Sequence, residues 1–150
     1  MGRLRTFLSL RLGDQLRLLA ASCLLLLVWG GVVILPFDWF RRQITRFGNL
    51  GGKFSIGSPS AARIAHTVDI ADKHLPGGRT CLVRSLSTEV LLRLYNRKFT
   101  HRIGVDRTAE GSVRAHSWIE HDGEVLIGQL ENLDAFEPLP PLENTETIEW

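Results

Sequence analysis

Two residues of this 150-residue chain, Cys81 and His116, have the types and settings for thiol chemistry. Cys81 follows Pro76-Gly77-Gly78-Arg79-Thr80, and after it apolar residues recur at helical period: Val83, Leu86, Val90 and Leu94. The spacing predicts a glycine turn that delivers the cysteine to the first turn of a helix lasting to about Tyr95. Unpaired backbone N–H groups and the positive end of the helix dipole favour a thiolate there. The same N–H groups can hold a developing oxyanion. A free cysteine also packs as a small apolar residue, so this setting alone leaves a structural role open. His116 lies in Val113–Glu120, which reads as a strand, and would be the general base that such a nucleophile needs.

A hairpin supplies the candidate third group. In His121-Asp122-Gly123-Glu124, the Asp-Gly pair suits both positive-φ positions of a type I′ turn. With Asp122 and Gly123 as the loop, Ile119 faces Leu126 and His116 faces Gln129. The Gln129 amide is then placed to orient the histidine ring. A loop longer or shorter by one residue would put Gly128 there instead.

The elements that must position these groups read as α+β, N-terminal helices packed against a small antiparallel sheet. Ser60 is an N-cap for a helix from Ala61 to about His74, and Pro76-Gly77-Gly78 separates it from the Cys81 helix. Strands are expected at Phe99–Val105, Val113–Glu120 and Val125–Leu130. The glycine-rich stretch Phe47–Pro59 reads as a linker, and the acidic, proline-containing tail from Glu131 to Trp150 as irregular. The organisation is thus a basic and apolar N-terminal region (1–46), a core (60–137) and a tail (138–150). His66 and His74 lie at no ligand spacing, and His101 and His121 read as structural and solvated. Trp118 alternates with His116, which suits it to shield the site or support the sheet. Arg79 and Arg84 either attract an acidic peptide or cap the surface.

Composition narrows the functions. A net charge of +2, spread without an aromatic-interleaved basic face, does not point to nucleic acid. Cys23 and Cys81 sit in unlike settings, with no CxxC or Cys/His metal spacing, which fits a reducing cytoplasm. No phosphate-binding loop occurs, so no cofactor and no metal are assigned. Leu18–Leu35 runs 18 residues without a charge, with arginines flanking both ends and Trp29 and Trp39 as candidate interfacial aromatics. It reads as a buried or partner-facing helix, as a membrane-associated one, or as a signal peptide.

The block Cys-Leu-Val-Arg-Ser-Leu at 81–86, with Ile103-Gly104-Val105, Ala115-His116-Ser117-Trp118-Ile119-Glu120 and Asp122-Gly123, carries a resemblance. Over about residues 60 to 130 the chain resembles the transglutaminase-like leader peptidases of lasso peptide biosynthesis, in their free-standing B2 form. The hydrophobic, arginine-containing N-terminal region ending in Pro-Phe is similar in character. The resemblance implies a papain-like core in which Cys81 attacks the leader–core peptide bond and His116 moves the proton. It implies a separate leader-recognition protein (B1) as partner, and a distinct ATP-dependent cyclase (the C protein) that closes the macrolactam. The family commonly has an aspartate as third member. Here Ile127-Gly128-Gln129-Leu130 holds no acid, which leaves Gln129, or Glu131 or Asp134 bending back. A crosslinking thiol acyltransferase and a non-catalytic membrane-associated binding module are the alternative classes.

Overall fold

The computed structural model describes residues 2–50, 58–107 and 110–139. Its elements run α1 (Gly2–Leu8), α2 (Leu12–Ile34), α3 (Phe37–Asn49), α4 (Ala61–His74) and α5 (Cys81–Leu94), then β1 (Thr100–Arg107), β2 (Val113–His121), β3 (Glu124–Ile127) and β4 (Glu137–Pro138). The sheet is antiparallel throughout, in the order β3-β2-β1-β4. The α+β expectation holds.

α5 is the centre. Residues Ser85–Leu92 are all buried, because α2, α3 and α4 lie against it and β2 and β3 contact it as well. A two-faced surface helix would have exposed Ser87, Thr88 and Glu89; sandwiched between layers, this one cannot. Val83, Leu86 and Val90 meet Ile64, Val68 and Ile119 in one core, each buried aliphatic contributing about 1.5–3 kcal/mol. Two of the hydroxyls pushed inside are satisfied within the helix, Ser87 donating to the Val83 carbonyl at 2.8 Å and Thr88 to that of Arg84 at 2.9 Å. The buried Ser85 hydroxyl has no hydrogen-bond partner among the described residues.

α2 docks through one stripe only, Ala21, Leu25, Val28 and Gly31. Gly31 admits α3 at close range: a Cβ there would sit 2.2 Å from the Phe40 ring. α3 occupies part of the expected linker, since Phe47–Asn49 continue the helix that begins after Pro36. Residues 51–57 of that linker lie outside the described residues. The tail is more ordered than its composition implies. Leu133–Ala135 form a 3₁₀ turn, and Glu137–Pro138 pair with Gly104 and Val105 as β4. Residues 140–150 of the tail lie outside the description.

Candidate active site

Thr80 starts α5. Its hydroxyl accepts from the Val83 N–H at 3.3 Å and its carbonyl from the Arg84 N–H at 3.2 Å. Cys81 is therefore the first helical residue, half-buried, beside first-turn N–H groups that have no carbonyl one turn earlier. Arg79 holds the preceding turn. Its guanidinium binds the Asp72 carboxylate and the carbonyls of Asp72, Leu75, Pro76 and Gly77, at 5 % side-chain exposure. That residue clamps the corner instead of meeting a peptide. Arg84 pairs with Asp69 at 2.7 Å and with Asp72 at 3.4 Å. Lys73, with Arg84, holds the Asp69 carboxyl below its ordinary value.

On β2, residues alternate between two environments. Ser117 and Ile119 turn toward α5, whereas His116 shares the opposite face with Trp118. The two rings stack at 6.1 Å with 16° between their planes, and Phe136 leans on the histidine at 5.6 Å. Trp118 is buried and donates to the Glu120 carboxylate at 2.8 Å, so it supports the ring and the sheet together.

The polar partner of His116 is a main-chain atom. Its Nε2 lies 2.6 Å from the Gly128 carbonyl oxygen. A carbonyl only accepts, so Nε2 carries the hydrogen and donates, and Nδ1 is left as the lone pair of the neutral ring. This tautomer follows from a β-bulge. His121 pairs with Glu124 and Glu120 with Val125, but Ile119 then pairs with Ile127, passing over Leu126. The expected pairing of Ile119 with Leu126 is therefore shifted by one, and β3 ends before Gln129 can face His116. Gln129 is exposed and donates to the Leu130 carbonyl at 3.3 Å. Neither Glu131 nor Asp134 bonds to the histidine among the described residues. Gly128 has φ +89°, and a Cβ there would lie 2.7 Å from the Ser117 carbonyl oxygen, so only glycine brings its carbonyl to this point without strain.

His116 borders a cleft of about 550 Å³ between α4 and the β3 edge, where Asp69, Arg84 and Gln129 also stand. Arg84, which lines this cleft, is one helical turn beyond Cys81 on α5, whereas Cys81 itself is not one of the lining residues. No hydrogen bond joins the Cys81 and His116 side chains among the described residues; bonds between catalytic groups are often long where no substrate is bound. His66 is exposed at the same cleft, and His121, expected in solvent, is half-buried with Nδ1 2.6 Å from the Lys98 carbonyl oxygen.

A second polar chain went unread in the sequence. Ser117 Oγ lies 2.7 Å from His101 Nε2, and His101 Nδ1 lies 2.5 Å from Glu89 Oε2. Arg41 and Arg93 reach the same carboxylate at 2.6 and 3.0 Å. The order serine–histidine–glutamate mimics a catalytic triad, but all three are at most 2 % exposed, and no substrate reaches them. The role is structural, tying α3, α5, β1 and β2 together.

A family model described as the transglutaminase-like superfamily matches residues 32–140. No curated protein and no solved structure matches the chain. The matched span takes in the cysteine helix, the histidine strand and the Gly128 carbonyl, and it covers most of the chain: the protein belongs to the transglutaminase-like superfamily, whose general chemistry is that of cysteine peptidases and transglutaminases.

Proposed function

We propose that this protein is a cysteine peptidase that removes the leader from a ribosomally made lasso-type precursor. The observation that supports the catalytic part is the His116 ring held by the Gly128 carbonyl, with Nδ1 left as base beside a cleft that Arg84, one helical turn beyond Cys81, also lines. The substrate class rests on the likeness of the 81–86 and 115–120 blocks to the lasso leader peptidases.

The steps follow from these groups. Cys81 Sγ, its proton taken by His116 Nδ1, attacks the carbonyl carbon of the leader–core bond. The oxyanion is met by first-turn N–H groups of α5. His116 returns the proton to the leaving amine of the core, and a thioester to the leader remains. Water, deprotonated by His116, then releases the leader as a carboxylic acid. A separate leader-recognition protein presents the precursor, and the freed amine passes to the cyclase. Intact-mass analysis of precursor, recognition partner and purified protein tests this: one cut adds a water across one peptide bond, whereas crosslinking would show loss of ammonia instead.

The third group separates two variants. Gln129→Ala leaves kcat within about twofold, because its amide faces solvent. Gly128→Ala lowers kcat by about tenfold to a hundredfold, because the added Cβ displaces the carbonyl that aims the ring. Steady-state cleavage rates of the two would check this, and the reverse order would return the orienting role to Gln129.

A further inference from the structure

Sixteen of the eighteen large apolar side chains exposed among the described residues fall between Leu4 and Leu50. α2 uses one stripe on the core and turns Leu19, Leu26, Leu27, Trp29 and Val33 outward. α3 does the same with Trp39 and Phe47, each about half exposed (52 % and 53 %). Between α2, α3 and the far half of α5 runs an apolar groove of about 440 Å³, with Leu24, Leu27, Phe47, Leu91 and Leu94 on its walls.

The same region holds the positive charge. Residues 1–50 carry seven arginines and two aspartates, a net of +5, whereas residues 51–150 carry eleven basic and fourteen acidic groups, a net of −3. Of the arginines, Arg17 and Arg41 are engaged with Asp14 and Glu89. Arg3, Arg5, Arg11, Arg42 and Arg46 are exposed and make no ion pair among the described residues.

We propose that the α1–α3 face docks on the surface of an anionic lipid bilayer, with the apolar side chains in the headgroup–acyl boundary and the arginines on lipid phosphates. Exposed tryptophans beside arginines suit that boundary, where one end of a side chain is dry and the other wet. A second copy of the chain fits poorly, since a symmetric contact would set one arginine-rich face against itself. A folded protein partner would need polar groups to fix its register, and the uncharged run of α2 offers almost none, whereas a fluid apolar phase needs none. α2 lies on the membrane and does not cross it, because its buried stripe holds it to the core. Cys81 stands at the opposite end of α5 from Leu91 and Leu94, about 15 Å along the axis, so docking leaves the cleft open. The proposal stands independently of the peptidase reading.

The test is flotation of the full chain with phosphatidylcholine vesicles, with and without phosphatidylglycerol, alongside tryptophan fluorescence. The protein should float with anionic vesicles, with a blue shift, and bind neutral ones about tenfold more weakly or worse. Arg42→Glu with Arg46→Glu should weaken anionic binding by more than about tenfold while the melting temperature holds. Trp39→Ala with Phe47→Ala should weaken binding without changing its salt dependence. Absence of flotation, equal binding to both vesicles, resistance to alkaline extraction as a spanning protein shows, or a dimer that forms at the expense of vesicle binding would each overturn it.

Discussion

Cys81→Ala lowers precursor cleavage by about 10⁴-fold or more and leaves the melting temperature within about 2 °C of the wild type. The two halves of that expectation have separate causes. The sulfur is the only atom that can form the thioester, and removing a nucleophile that works together with its base forfeits nearly all of their joint contribution. The stability half follows from position. Cys81 is half-buried at the first helical residue, where alanine is a strong helix former and the Thr80 cap does not depend on the side chain. His116→Ala should fall by a comparable factor, since the thiol then lacks the group that takes its proton. Intact-mass assays with the recognition partner present, paired with thermal melts, read both quantities. Cleavage surviving in Cys81→Ala would remove the thiol mechanism altogether, and a large drop in melting temperature would turn Cys81 into a packing residue.

How much of this was legible depended on the range of the forces involved. α4 begins at Ala61 after Ser60 and α5 at Cys81 after Thr80, since a hydroxyl cap and a glycine break act within one turn. The Asp122-Gly123 turn is equally local, and both residues have positive φ. The bulge at Leu126 is not: one extra residue in β3 changes no composition signal, yet it moves the orienting group from the Gln129 side chain to the Gly128 carbonyl. α3 was hidden because Gly48 and Asn49 resemble a loop. Gly48 is small for a tertiary reason, a Cβ there falling 2.9 Å from Arg93 on α5. The helical period of Val83, Leu86, Val90 and Leu94 sets Glu89 off the apolar stripe, although the structure buries it. Its partners, Arg41 and His101, are 48 residues before it and 12 after it, and only the assembled layers bring them together.

That buried carboxylate should dominate the acid stability of the domain. Burial alone would push the Glu89 carboxyl up from 4.5; the His101 hydrogen bond and charge, with Arg41, outweigh it and hold the group at about 2. A carboxyl lowered in the folded state contributes stability that is fully present above its unfolded value. The contribution is lost as pH falls through the folded one. The window is therefore between 4.5 and about 2, and the contribution is on the order of 3 kcal/mol. Glu89→Gln keeps the shape and removes the charge, leaving Arg41 and Arg93 beside a neutral amide in a nearly dry site. Near neutral pH the variant should be less stable than the wild type by about 3 kcal/mol in urea denaturation. The gap should then close as the wild-type carboxylate protonates within that window. Asp14 and Asp69 are lowered too, but they titrate in both proteins, so the difference between the curves isolates Glu89. A gap that stays constant from about neutral pH down to about 2 would mean that Glu89 acts through packing and hydrogen-bond shape, and that the two arginines are neutralised by something other than its charge.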